Sequence, residues 1–258
     1  MDALQPDGPQ PIEIERQRSV AEIIGEALDV YQRYPLLFIG LALAVIAPFE
    51  LAVLAATGRG PLASDAHQNI GVTYLVLLLD YAIVGPLISA LHIHAVVLIG
   101  KGVRPRFAEV ALRGLRVLPV VAAAVIVAGL GIALGFLALI IPGIILLLRW
   151  SVVAQVAAID HEGWIPALRR SGELTRGQYG HVFGLLLIAG LLSGGVTLGA
   201  QVLPLGSTSG AASVAVGIAI GAITASFTAL TLSILYIDLR ARLASGGPQR
   251  RTPTRRLD

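Results

Sequence analysis

Hydrophobic and polar positions along this chain separate into long blocks rather than alternating residue by residue. Apolar runs cover 35–57, 72–99, 117–159, 181–203 and 211–239. The 43 residues of 117–159 are interrupted only by Arg149, Ser151, Gln155 and the pair Pro142 and Gly143. One helix of that length would measure roughly 64 Å, about twice the hydrocarbon thickness of a bilayer. The run must therefore fold back, and Pro142 with Gly143 is the predicted turn. The pattern predicts an all-α membrane protein with six transmembrane helices.

Ahead of the first, third and fifth spans the pattern becomes amphipathic. Ser19 and Glu22 form a capping box, after which Val20, Ile23, Ile24, Ala27 and Tyr31 make one face and Glu22, Glu26, Asp29 and Arg33 the other. In the second segment Phe107, Val110, Ala111, Leu115 and Leu118 oppose Arg106, Glu109, Arg113 and Arg116. In the third, Trp164, Ala167, Leu168, Ser171 and Leu174 oppose Arg169, Glu173 and Arg176, with Gly177 as the stop. Ala27 and Leu28 precede Pro35 by the same interval at which Ala111 and Leu112 precede Pro119, so each proline is expected to open a span. The third unit keeps Ala167 and Leu168 with a longer exit. The expected architecture is thus three hairpins, each preceded by a short cytoplasmic amphipathic helix.

Composition narrows the class further. The chain is 55% hydrophobic and 14% charged with a mean hydropathy of +0.80, where a soluble domain carries about a quarter charged residues. A water-soluble fold is excluded. The absence of cysteine removes disulfides, thiolate metal sites and cysteine nucleophiles. The opening MDALQPDGPQPIEIE is acidic and proline-bearing, unlike a cleaved secretory signal. Residues 1–17 are expected to be a disordered N-terminus, 18–245 the membrane domain and 246–258 a disordered basic tail.

Charge sets the expected orientation. Seventeen of the 19 Lys and Arg residues fall on one side of a six-span arrangement, and the positive-inside rule places that side, with both termini, in the cytoplasm. Arginine outnumbers lysine 18 to 1, which together with the many alanines fits a GC-rich bacterial source, so the expected membrane is a bacterial inner membrane. Expected partners are the bilayer, with anionic lipid at the cytoplasmic face beside the GGPQRRTPTRRLD tail, and a membrane protein; no nucleic-acid partner is expected.

Three groups of residues are candidates for chemistry or assembly. Glu50, Asp80 and Arg149 lie on three different spans at one estimated depth, ~10–12 Å from the outer ends. Intramembrane charges need partners or water, so an ion cluster of Arg149 with Asp80, Glu50 or both is expected, either fixing helix register or lining a polar cavity. Glu22, Glu26 and Asp29 are expected to turn toward Arg113, Arg116, Arg169 or Arg170 as a cytoplasmic cap, the alternative being three separately solvated faces. Ser213, Gly217, Gly221 and Ala225 recur every four residues in span six, with Gly190 and Gly194 in span five and Gly131 and Gly135 in span three. Such flat stripes suit close helix packing within the bundle or, secondarily, a homodimer. His92 and His94 are two apart on a helix and point in different directions, so they are no metal pair. Asp160, His161 and Glu162 read as a solvated loop. No catalytic set, metal site or cofactor is expected.

The stretch IPGIILLLRWSVVAQVAAIDHEGWIPALRRSGELTRGQYGHVF and the later LYIDLRARL resemble the glycerophosphoryl diester phosphodiesterase membrane domain family. A Pro-Gly turn, an arginine-bearing span, an AL-x-RS-x-ELT-x-G helix and a Y-x-D-L-R exit recur there in this order. They match Pro142 and Gly143, Arg149, 167–177 and 236–240, and the resemblance covers about 18–245. It implies a multipass membrane protein tied to lipid or envelope metabolism. Catalysis in the fused enzymes belongs to a separate soluble barrel, for which this chain has no room. The sequence-based expectation is a non-enzymatic module that organises, anchors or regulates a partner or handles lipid. The alternative is a small-molecule or lipid transporter using the intramembrane charges.

Overall fold

A computed structural model describes residues 17–58, 60–61, 69–160, 163–202 and 211–245. The PLGSTSG loop, His161, Glu162, residues 1–16 and the tail 246–258 lie outside the described residues. Everything regular among the described residues is helix. Six stretches are long and apolar enough to cross a membrane: Pro35–Thr57, Ile70–Gly100, Phe107–Ala138, Ile140–Asp160, Tyr179–Ala200 and Ala211–Ser245. The chain is an all-α multipass membrane protein.

Helix α1 (Val20–Arg33) starts at the capping box, with Ser19 and Glu22 each bonded to the other's backbone. Its apolar face, with Ile23, Ala27 and Val30 buried, lies on the bundle. A short break at Tyr34 leads into α2 (Pro35–Thr57), which Pro35 opens as expected. The second span is α3 (Ile70–Leu79), a π-helical segment over Asp80–Val84 and α4 (Gly85–Gly100). The π turn has a local cause in Pro86, which has no N–H to donate. The Gly85 N–H reaches back to the Asp80 carbonyl.

The second amphipathic segment is not a separate helix. It runs without interruption into span three as α5 (Phe107–Ala138), with Pro119 inside it. The chain then turns at Leu139, three residues before the expected position, and α6 (Ile140–Arg149) carries Pro142 in its first turn. Proline is tolerated there because the first N–H groups of a helix have no intrahelical partner. Gly143 closes the hairpin instead: its Cα would lie 3.1 Å from a Cβ on Gly135, and a Cβ of its own would overlap the Phe136 ring. A Cβ on Gly131 would likewise overlap the Trp150 ring.

Span four breaks over Trp150, Ser151 and Val152 before α7 (Val153–Asp160). Helix α8 (Trp164–Thr175) runs back along α7 and ends at Gly177, whose φ of 77° suits glycine. Then come α9 (Tyr179–Val202) and α10 (Ala211–Ser245). Helix α10 is central, packing on α2, α4, α1 and α9. Its small-residue stripe, continued at the same four-residue interval by Ala229 and Ser233, faces inward over much of its length: Gly217, Ala229 and Ser233 are buried, and a Cβ on Gly221 would lie 4.0 Å from Ile46.

The glycines of α9 behave otherwise. A Cβ added to Gly190 or Gly194 would meet nothing within 4 Å among the described residues. The expected internal packing role is therefore corrected for these two, because α9 turns them away from α10. Gly135→Leu is expected to cost roughly 1–3 kcal/mol by overpacking the α5–α6 hairpin. Gly194→Leu should leave stability within about 0.5 kcal/mol. Thermal unfolding in detergent separates the two, and equal losses would contradict this packing.

Candidate functional site

The described ends of the chain meet on one face of the bundle. The Gln17 side chain donates to the Ser245 hydroxyl, as an even number of spans requires. At the centre of this face is Asp238, in the last turns of α10 and fully buried. Its Oδ1 accepts the backbone N–H of Arg18 at 2.6 Å. Its Oδ2 lies 2.7 Å from Arg242 Nε and 3.1 Å from His181 Nε2. Arg242 also donates to the Arg18 carbonyl and, at 3.3 Å, to Gln178 Oε1. Arg18, itself 3% exposed, pairs with Glu26. One carboxylate thus ties the segment before α1, the start of α9 and the end of α10 together. The arginine four residues on supplies the opposite charge that a buried carboxylate needs.

Beside this clamp lies a cleft of about 650 Å³ between the end of α7 and α8, lined by Asp160, Ile165, Pro166, Arg169, Arg170 and Glu173. Tyr236 donates to Asp160 Oδ1 at 3.2 Å and accepts from Arg240 at 3.2 Å, with the Arg240 guanidinium also over the tyrosine ring. Glu173 accepts from Arg169 Nε at 3.1 Å and from Arg170 at 3.2 Å. These two guanidinium bonds hold its carboxyl below the ordinary range.

The expected cap takes a different form. Glu26 finds Arg18 rather than an arginine of another amphipathic segment, Arg113 bonds to Glu109 one turn away, and Arg169 and Arg170 share Glu173. Glu22 serves its own helix start, and Asp29 and Arg116 are exposed. The reason is distance along the chain. A helical partner three or four residues off is always within reach, whereas a partner on another helix requires both side chains to meet.

The intramembrane charges are divided. Glu50 and Asp80 come close enough to interact electrostatically. Arg149 joins neither, and no ion pair links it to them among the described residues. Asp80 lies on a segment packed on α2, α4 and α5, whereas α6, which ends in Arg149, packs on α5, α8 and α9. Arg149 instead lies exposed against Gly172 of α8, with its Nε 2.6 Å from where a Cβ would stand. The expected three-residue cluster is corrected to an acidic pair and a separate arginine.

What Arg149 contributes is a carbonyl. At the break in span four the Val153 N–H bonds to Trp150 rather than to Arg149. The freed Arg149 carbonyl accepts the Ser171 hydroxyl at 3.0 Å and the Thr175 hydroxyl at 3.2 Å. Non-helical backbone at membrane depth needs such protein partners. Below the break, Gln155 is fully buried, and neither its amide atoms nor the Ser151 hydroxyl has a hydrogen-bond partner among the described residues. His92 reaches Ser226 of α10 at 2.8 Å and stacks at 5.4 Å on Phe38, while His94 bonds the Ala90 carbonyl of its own helix at 2.6 Å.

Asp238, Arg242, His181 and the Arg18 backbone were not singled out by the sequence reading, although Asp238 stands within the Y-x-D-L-R exit. The available signal was an acidic residue ending an apolar helix with an arginine at the next turn. Fold and site together define a multipass helical membrane protein whose polar chemistry gathers on the face where its ends meet. Comparison with family models, curated proteins and solved structures finds no match to this chain.

Proposed function

We propose that this protein is a non-enzymatic module of a bacterial inner membrane, with both termini cytoplasmic, that anchors or organises a membrane partner or handles lipid. The observation carrying this reading is that two amphipathic helices are held to the bundle, α1 at the end of α10 through Asp238 and α8 at the break in span four through the Arg149 carbonyl. Arg18 pairs with Glu26 of α1, and Asp238 ties the same segment to α10, as suits a scaffold. The outer surface of α8 carries exposed Arg169 beside exposed Trp164 and Ile165, a combination suited to an anionic membrane interface. The resemblance of Arg149, 167–177 and 236–240 to the glycerophosphoryl diester phosphodiesterase membrane domain supports the same reading.

Native mass spectrometry of gently extracted protein tests it, with retained lipid or a retained membrane protein as the expected result. Bare protein would overturn it. A second reading, a transporter, is favoured by the approach of Glu50 to Asp80 beside Pro48 and the π turn. Cation or proton flux in vesicles that is lost in the variant Glu50→Gln with Asp80→Asn would select that reading.

A further inference from the structure

Among the described residues that line the cleft between α7 and α8, the formal charges cancel, two arginines against Asp160 and Glu173. Glu173 occupies one N–H of each arginine, and each guanidinium has five. Several donors therefore remain on Arg169 and Arg170, in the planar arrangement that suits phosphate oxygens. Asp160 has one oxygen on Tyr236, and its Oδ2 has no hydrogen-bond partner among the described residues. The cleft thus offers donors for an anion and an acceptor for a cation. A volume of about 650 Å³ lies within the usual range of small-ligand sites.

We propose that this cleft holds the headgroup of a zwitterionic phospholipid, its phosphodiester on Arg169 and Arg170 and its primary ammonium on Asp160. A purely anionic headgroup would set a phosphate against the Asp160 carboxylate, whereas an ammonium satisfies it. The lipid source follows from Ile165, which lines the cleft and is 62% exposed, and from its neighbour Trp164, 40% exposed. An indole beside an exposed branched aliphatic chain belongs at the boundary between headgroups and acyl chains. The proposal rests on the lipid-handling reading above and specifies its ligand.

The test is native mass spectrometry of the full chain in detergent, titrated with phosphatidylethanolamine and phosphatidylglycerol. Phosphatidylethanolamine is expected to be preferred. Arg169→Gln with Arg170→Gln should lower its retention roughly a hundredfold, the loss of two charge-assisted hydrogen bonds at about tenfold each. Asp160→Asn, which keeps the acceptor for Tyr236, should abolish the preference by weakening phosphatidylethanolamine retention and raising that of phosphatidylglycerol. Melting temperatures equal to the parent's establish that both variants fold. Phosphatidylethanolamine retained equally by all three proteins would overturn this site while leaving the lipid-handling module intact. A parent protein holding neither lipid nor protein partner would overturn the module itself. Competition by O-phosphoethanolamine at concentrations equal to the lipid would overturn the lipid source in favour of a free phosphorylated amine.

Discussion

Asp238→Ala is expected to be the most damaging single substitution outside the packed apolar core. It removes the acceptor of the Arg18 backbone N–H and of two side chains, and leaves Arg242 beside a vacated buried position. Removing one partner of a buried charge pair costs on the order of 3–5 kcal/mol. The effect should also be visible locally. Arg18 is buried in the parent, so trypsin cleavage after it should be slow, and it should become fast in the variant while the spans remain helical. Asp238→Asn keeps an acceptor for the Arg18 N–H but lacks the charge, and should fall between the two. Parent-like melting and parent-like cleavage at Arg18 in Asp238→Ala would remove the clamp from any account of this fold.

Ser171→Ala combined with Thr175→Val is expected to have the next largest effect. The pair strips both hydroxyls from the Arg149 carbonyl, and an unpaired buried acceptor costs about 1–3 kcal/mol. The two hydroxyls are not equivalent. Thr175 has a single hydrogen to share between the Arg149 carbonyl and the Ser171 carbonyl, which it also approaches at 3.0 Å. Ser171→Ala alone should therefore cost more than Thr175→Val alone. The double variant should cost more than the sum, because either hydroxyl can cover for the other. Additive losses would mean that the two act on separate acceptors.

These expectations mark where the sequence was legible. Six apolar stretches, the Ser19 and Glu22 capping box and the Gly177 stop depend on local pattern, and all are present in the fold. The turn at Leu139 was misplaced because Pro142 and Gly143 are equally at home in a turn and in the first turn of a helix. Pro119 was expected to open a span, yet α5 runs through it. Depth could be counted for Glu50, Asp80 and Arg149, but azimuth could not. Helix rotation is set by contacts such as Gly143 on Phe136 and Gly172 on Arg149, which are invisible until the helices are assembled. The break at Trp150 to Val152 carries neither Pro nor Gly. Its signal lay 22 residues away, in the Ser171 hydroxyl that occupies the released carbonyl. The AL-x-RS-x-ELT-x-G and Y-x-D-L-R patterns held part of the answer, since Ser171, Thr175, Gly177 and Asp238 all stand within them.

The clamp at Asp238 also constrains biogenesis. The Arg18 segment before α1 is synthesised 220 residues ahead of the carboxylate that receives it. The contact between the segment before α1 and the end of α10 can therefore form only after every span of the bundle has been made.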